Sequence, residues 1–141
     1  MAGCRGDPTA GVALSHRSRL AGFIIDSQVD DLPAASAFWS AALGLKVTHP
    51  DDGGLGIYDK FEPGPGGLHI EVQKVEHEAR VHLDIETDDI EAEVVRLEAL
   101  GARRVQHVRN HWWVMEAPTG HRFCVVPMDE DSARDTPNRW P

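Results

Sequence analysis

Hydrophobic and polar residues alternate in two similar segments of the chain, FIIDSQVDDL at residues 23–32 and VHLDIETDDI at residues 81–90. Apolar and β-branched residues followed by a turn-favouring aspartate pair predict a β-strand in each segment. Alternation gives the second strand two faces, one with Val81, Leu83 and Ile85 and the other with His82, Asp84 and Glu86. The duplication indicates that one structural unit occurs twice.

A helix is predicted after each aspartate pair. In the second copy, Asp88 or Asp89 can accept the free backbone N–H groups of the first helical turn. An apolar stripe then continues at helical spacing from Ile90 to Leu100, and Gly101 ends it.

The first copy carries the same helix signals. Asp31 is the expected cap, Pro33 lies in the first turn, where its missing N–H costs little, and Gly44 is the expected stop. We expect this helix to bury Phe38, Trp39 and Leu43.

Three shorter extended segments follow each helix, separated by turns rich in glycine, proline and aspartate. They are residues 45–49, 55–59 and 68–75 in the first copy, and 102–106, 111–116 and 121–127 in the second. The pattern βαβββ, written twice, predicts an α+β fold in which two tandem modules form a curved mixed sheet around a cleft, with the helices on the outer face. A ligand would bind in that cleft.

The length of 141 residues suits one domain. We expect a flexible N-terminal leader at residues 1–18, a domain at 19–128 with modules at about 19–76 and 79–128, and a polar C-terminal tail at 129–141.

Charge and composition limit the classes of partner that the protein can bind. The net charge of −9 argues against nucleic acid, which requires a basic face, and a small-molecule ligand is the better expectation. No apolar run approaches the roughly 20 residues that span a bilayer, and the N-terminal residues lack the apolar centre of a secretory signal. We therefore expect no membrane partner and a cytoplasmic location.

Two motifs resemble the vicinal oxygen chelate superfamily, which includes glyoxalase I, extradiol dioxygenases and bleomycin-resistance proteins. DLPAASAFWSAALG, from Asp31 to Gly44, matches the helix motif, and APTGHRFCVVP, from Ala117 to Pro127, is similar to the last hairpin. With VHLDIETDD and HWWVMEAP, the resemblance is to the glyoxalase-like subgroup and covers roughly residues 20–128.

The resemblance implies a divalent metal, such as Zn, Ni, Mn or Fe, held by the first and last strand of each module. The matching positions are His82 and Cys124 in the second module, and Ile24 and Glu71 in the first, with Gln73 as an alternative to Glu71. Ile24 cannot coordinate and a cysteine is unusual in this set, so His82 and Glu71 are the candidate metal ligands. We expect no complete metal set, although a divalent metal stays possible.

Two functions follow from the resemblance. The first is a protein, similar to the binding branch of the superfamily, that holds a small organic molecule in its cleft, and family members commonly form homodimers. The second is a metal-dependent lyase, isomerase or dioxygenase that uses His82 and Glu71, completed by Gln73 or Cys124. The predicted cleft residues are Asp26, Glu71, Gln73, His82, Asp84, Trp113 and Cys124.

Each cleft residue also has a structural interpretation. His82 can be a ligand, a general base or simply a hydrogen-bonded histidine in a polar cleft. Cys124 lies between Phe123 and Val125, where a small thiol often fills a core. One of Trp112 and Trp113 is expected to face the core and the other the cleft, where an indole can stack on a planar ligand.

Overall fold

A computed structural model describes residues 15–132 and 134–141. The part of the predicted leader at residues 1–14 lies outside this range. The described residues form two helices and nine strands. The elements are β1 (His16–Ser27), α1 (Leu32–Leu43), β2 (Val47–His49), β3 (Tyr58–Phe61), β4 (His69–Lys74), β5 (Arg80–Thr87), α2 (Ile90–Ala99), β6 (Arg103–Val108), β7 (Trp112–Glu116), β8 (Arg122–Pro127) and β9 (Asn138–Trp140).

The α+β fold class and the repeated βαβββ order are confirmed. Strand β1, helix α1 and strands β2 to β4 form the first copy, and β5, α2 and β6 to β8 form the second. The sheet is mixed, because β1 pairs with β4 in parallel while β3 pairs with β4, and β7 with β6 and β8, in antiparallel fashion. No helix among the described residues has the length and apolar character needed to cross a bilayer.

The chain divides into two compact units. The N-terminal unit comprises Ala21–Leu83 with Ser132–Asp135, and the C-terminal unit comprises Asp84–Asp131 with Thr136–Pro141 and the residues up to Leu20. Strands β1 and β5 each contribute residues to both units.

The N-terminal unit has the strand order β2-β3-β4-β1, with β5 beside β1. Its core lies between the sheet and α1 and is formed by five buried apolar residues: Ile25, Leu32, Phe61, Ile70 and Val72. Local signals set the helix ends as predicted. The Asp31 carboxylate accepts the amide of Ala34, and Gly44 adopts a left-handed conformation at the helix end, with φ of 71°.

The prediction that α1 buries Phe38 and Leu43 is wrong. Phe38 is 61% exposed and Leu43 is 44% exposed. The buried stripe instead consists of Leu32 and Ser36, with Trp39 packed against the core. Residues at spacings of three, four and seven share one helix face, and Phe38 lies off that face. Leu43 has the spacing of that face but is the last residue of the helix.

The C-terminal unit has the strand order β5-β8-β7-β6, and β9 pairs with the first residues of β1. Its core lies under α2 and contains Val94, Leu97, Met115, Phe123 and Val125. Of the two predicted caps of α2, Asp89 is the one that accepts the first-turn amide, from Ala92. Asp88 instead pairs with Arg17.

In strand β5 part of the apolar face is exposed to solvent and most of the polar face is buried, the reverse of the usual arrangement. Val81 and Leu83, on the apolar face, are 58% and 51% exposed. Asp84 and Glu86, on the polar face, are buried. The polar face of this strand is therefore covered in the folded chain, and part of its apolar face meets solvent.

Candidate functional site

In the N-terminal unit, a polar face of the sheet lies opposite the core. Ile25 of β1 and Val72 of β4 point to the core, so their neighbours along the strands point to the other side. On that side Ile24 is in register with Glu71, and Asp26 is in register with Gln73. The fold thus places Asp26, Glu71 and Gln73, three of the predicted cleft residues, on one surface, which we call the polar face.

His82 joins the polar face through Asp26. Its Nδ1 lies 2.7 Å from Oδ2 of Asp26, and Nε of Arg80 lies 3.9 Å from the same oxygen. The Asp26 side chain is almost fully buried, and its Oδ1 has no hydrogen-bond partner among the described residues. The aspartate therefore orients the imidazole and keeps one oxygen for a further donor.

Glu71 is a buried carboxyl group on the same face. Its Oε1 lies 2.8 Å from Nε2 of His69, while its Oε2 has no partner among the described residues. Burial raises the pKa of Glu71 above its ordinary value, the neighbouring Asp52 carboxyl adds to the rise, and the hydrogen bond with His69 offsets part of it. The group is thus poised to hold a proton more readily than a surface glutamate does.

Gln73 connects the polar face to strand β3. Its Nε2 donates to the Tyr58 hydroxyl at 3.1 Å, and the two residues are register partners across the β3–β4 pair. This contact fixes the orientation of the amide and adds a phenol to the surface.

The N-terminal unit provides only one of the two metal ligands that the resemblance implies for its module. Ile24 stands directly beside Glu71 in the sheet, is 3% exposed and has no atom that can coordinate. The Glu71 carboxylate is directed to His69. These residues do not fit the full ligand set of a superfamily enzyme.

Asp84 and Cys124, the predicted cleft residues of the C-terminal unit, lie close together. A carboxylate oxygen of Asp84 and Sγ of Cys124 are within 4.8 Å of each other, and both residues are buried. Cys124 forms no disulfide among the described residues, and because Phe123 and Val125 enter the core, Cys124 faces the opposite side of the sheet.

Trp113 packs against the core of the C-terminal unit. It belongs to the partly buried residues around that core, and its ring stacks on the ring of His107 with centroids 4.3 Å apart. Arg104 lies over the same indole at 5.0 Å. Alternation places Trp112 on the other side of β7.

Three contributors to the N-terminal unit were not predicted as site residues. Asp52 acts on Glu71 and comes from a turn-rich segment, and Tyr58 binds Gln73 and begins strand β3; neither belongs to a motif. Gly22 allows β1 to approach β4, because a Cβ at this position would lie 1.8 Å from the carbonyl oxygen of His69. A glycine inside a strand was the only available signal.

Comparison with known proteins identifies the family. The sequence pattern described as "Glyoxalase-like domain" matches residues 22–126. No curated protein matches the chain by sequence.

Several solved structures share the fold. A hypothetical protein from Bacillus halodurans C-125 is 14% identical, with a TM-score of 0.60, and the match covers 81% of this chain and 96% of that one. A methylmalonyl-CoA epimerase in complex with methylmalonyl-CoA and NH4+ is 16% identical, with a TM-score of 0.58 and coverages of 82% and 98%. The methylmalonyl-CoA epimerase of Mycobacterium tuberculosis is 19% identical, with a TM-score of 0.57 and coverages of 79% and 89%. At these identities the likeness establishes the fold alone.

Proposed function

The chain belongs to the glyoxalase-like domain family, within the vicinal oxygen chelate superfamily, and from this premise we propose that it binds a small organic molecule without the full catalytic metal set. The polar face of the N-terminal unit is the proposed binding surface. Asp26, Glu71, Gln73 and His82 supply its hydrogen-bonding groups.

The pairing of Ile24 with Glu71 carries this proposal. The buried, apolar side chain of Ile24 occupies one of the two metal-ligand positions of this module. Its neighbour in the sheet, Glu71, is the only one of the two residues that can coordinate a metal. A mononuclear catalytic site normally keeps about three protein ligands in a tight, open arrangement. Replacement of one by isoleucine supports binding over metal chemistry.

The polar face also favours a type of ligand. Oδ1 of Asp26 and Oε2 of Glu71 are buried acceptors without a partner among the described residues. Buried acceptors of this kind are normally satisfied, and a bound hydroxyl or amide group would satisfy them. We therefore expect a ligand with several hydrogen-bond donors.

A metal-dependent enzyme is the second candidate, and one observation favours it. Asp84 and Cys124 place two potential ligand atoms within 4.8 Å. Carboxylate and thiolate are both ligands that zinc accepts. In this candidate, a lyase, isomerase or dioxygenase, His82 and Glu71 are the expected metal ligands.

Metal analysis separates the two functions. Protein purified without chelator should contain far less than about one ion of Zn, Ni, Mn or Fe per chain. The binding proposal fails if the wild type carries about one ion per chain and the variants His82→Ala and Glu71→Ala both lose it.

A thermal-shift screen tests binding directly, because a ligand that binds only the folded state raises Tm. We expect hits whose stabilising effect disappears in Gln73→Ala. Gln28→Ala is the matched control, since Gln28 is an exposed glutamine that donates only to the carbonyl oxygen of Glu76. A broad screen without any hit would instead indicate an interaction protein with an unused polar face.

Two further parts of the proposal concern assembly and location. We propose a homodimer, supported by the exposed Val81 and Leu83 on β5. We propose a cytoplasmic location, supported by the buried Cys124, which forms no disulfide among the described residues.

A further inference from the structure

A second concave surface lies on the helix side of the N-terminal unit. This groove has a volume of about 760 Å³ and is bounded by α1 and the segment at residues 46–59. Asp59 lines the groove and shares one side of β3 with the core residue Phe61. Tyr58, which binds Gln73 on the polar face, points to the other side of β3. The groove and the polar face therefore lie on opposite sides of this unit's sheet. Its size is within the roughly 300–1,000 Å³ range of small-molecule sites.

Ser36 is a buried polar group that the fold leaves without a partner. It lines the groove from α1, is 2% exposed, and its Oγ has no hydrogen bond among the described residues. Buried hydroxyl groups are normally hydrogen-bonded, and an unpaired one costs free energy. A ligand in the groove would remove that cost.

The groove also has a defined charge. Its lining residues include three aspartates, Asp30, Asp51 and Asp59, and one lysine, Lys46. Asp59 is only 5% exposed, and its Oδ1 accepts the amide of Asp51 at 2.8 Å, which holds the loop against the strand. The acidic excess favours a cationic guest and disfavours an anionic one.

Apolar residues form the rest of the lining. Pro33 and Ala37 contribute from α1, and Val47 and Pro50 contribute from the segment that follows it. A guest therefore needs a compact apolar body as well as a charged group.

We propose that this groove is a second binding site, separate from the polar face, for a small hydrophobic amine. The ammonium group of the bound amine faces the carboxylates of Asp51 and Asp59, and a hydrogen bond with the amine satisfies Ser36 Oγ. The apolar body of the amine lies along Ala37 and Val47. This site does not depend on the function proposed above, because it uses none of the residues of the polar face.

The test uses the full chain and three probes of similar shape: phenethylamine, phenethyl alcohol and phenylacetate. Amide NMR spectra of isotope-labelled protein should show shifts at Ser36, Ala37, Val47 and Gly56 with the amine. Binding of phenylacetate at these amides should be weaker by about tenfold or more, and added salt should weaken amine binding. Equal response to amine and carboxylate, or shifts confined to Glu71 and Gln73, would overturn the proposal.

Ser36→Ala is the decisive variant, since alanine suits a helix and removes only the unpaired hydroxyl group. We expect amine affinity to fall by about five- to tenfold, with unchanged or higher thermal stability. Ser27→Ala is the matched control, because the Ser27 hydroxyl is also buried in this unit but donates to the Ile25 carbonyl and does not line the groove. Unchanged affinity in Ser36→Ala would contradict the assignment.

Glu71→Gln separates the two sites. It alters the polar face and should leave amine binding in the groove intact. Loss of amine binding in Glu71→Gln, with Ser36→Ala unaffected, would place the amine on the polar face and reject the groove.

Discussion

At the scale of single residues, the burial of Glu71 makes the stability of the folded chain depend on pH. Its pKa is raised mainly by burial, so the folded chain binds this proton more tightly than the unfolded chain does. Stability must therefore fall as pH rises from the ordinary pKa of a glutamate through the raised folded value.

Glu71→Gln should remove this part of the pH dependence. We expect the variant to gain stability relative to the wild type as pH rises from about 4 to about 7, because the neutral amide avoids the burial of a charge. Urea denaturation at several pH values measures the difference. Glu78→Gln, at an exposed position of the same unit, is the control and should follow the wild type. Parallel curves for the wild type and Glu71→Gln would show that the carboxyl group is not perturbed.

The polar-face residues show how far a sequence pattern can predict a site. The pattern placed Asp26 and His82 among the predicted cleft residues, but it did not predict that their side chains pair, at 2.7 Å between Nδ1 and Oδ2. Alternation could not decide between Trp112 and Trp113, because it predicts that they face opposite sides without saying which side is the core. The packing of Trp113 under α2 depends on tertiary contacts that no local signal encodes.

At the scale of elements, the close approach of β1 and β4 depends on Gly22. A Cβ there would meet backbone atoms of His69, the nearest at 1.8 Å, and backbone cannot move aside without breaking the parallel pairing. Gly22→Ala should therefore lower the free energy of unfolding by about 1–3 kcal/mol or more. In Gly64→Ala the one close contact of the new Cβ among the described residues is with Ile70 Cδ1, at 2.6 Å, and a side-chain end can rotate; the nearest backbone atom lies at 3.6 Å. Denaturation should show a clearly smaller loss for Gly64→Ala, and equal losses would contradict the role given to Gly22.

Helix α2 is attached to its unit by a buried ionic cluster. Glu93 is fully buried and accepts hydrogen bonds from Arg96 at 2.8 and 2.9 Å, and His16 lies 2.6 Å away. Burial alone raises the pKa of Glu93, but hydrogen bonds from Arg96, His16 and Ser18 outweigh it and hold the pKa below its usual value. Ionised Glu93 thus stabilises the folded state above the unfolded-state pKa, and this stabilisation disappears as pH falls through the folded value.

Glu93→Gln should cost about 1–3 kcal/mol of stability at neutral pH, because it weakens the hydrogen bonds to the buried His16 and the partly buried Arg96. The difference in free energy of unfolding between the wild type and Glu93→Gln should become smaller as pH falls, because the lowered pKa of Glu93 means that its stabilising effect is lost at low pH. Glu98→Gln, on the same helix but in a partly exposed pair with Arg104, is the control and should cost less than about 1 kcal/mol. Chemical denaturation at neutral and acidic pH distinguishes the variants. If Glu93→Gln differs from the wild type by the same free energy of unfolding at both pH values, ionised Glu93 does not contribute to stability.

Elements with local signals were predicted well. Asp31, Pro33 and Gly44 determine the ends of α1 through backbone hydrogen bonds and a left-handed turn, which depend on neighbouring residues only. The burial of Phe38 and Leu43 was predicted incorrectly: an alanine-rich helix offers no sharp apolar stripe that would have placed Phe38 outside, and Leu43 lies at the helix end.

Strand β9 was not predicted at all. It lies in a polar, proline-containing segment and is stabilised by partners far away in sequence. Trp140 donates to Ser18 Oγ at 2.8 Å, and Arg96 lies 3.9 Å from the centre of its indole ring. Pairing with β1 therefore depends on tertiary contacts rather than on the propensity of the segment itself.

At the scale of the whole molecule, the pattern predicted the repeated βαβββ order because period-two and helical signals recur at matching places. The exposure of the two faces of β5 was beyond such reasoning. Alternation distinguishes an apolar from a polar face, but the structure buries Asp84 and Glu86 and exposes Val81 and Leu83. Which face is covered depends on neighbouring chain segments, and in the proposed homodimer a second copy of the chain would be one such neighbour.

The exposed apolar face of β5 leads to the last prediction. If Val81 and Leu83 lie in a homodimer interface, the protein should have about twice the mass of one 15.5 kDa chain in solution. Leu83→Lys would place a charge in that interface and should yield monomers, because a buried unpaired ammonium group is strongly unfavourable. Leu100→Lys changes a leucine that is 66% exposed at the end of α2 and should remain dimeric. Light scattering after size-exclusion chromatography measures all three masses. A monomeric wild type, or dimers of Leu83→Lys as tight as those of the wild type, would show that β5 does not form the interface.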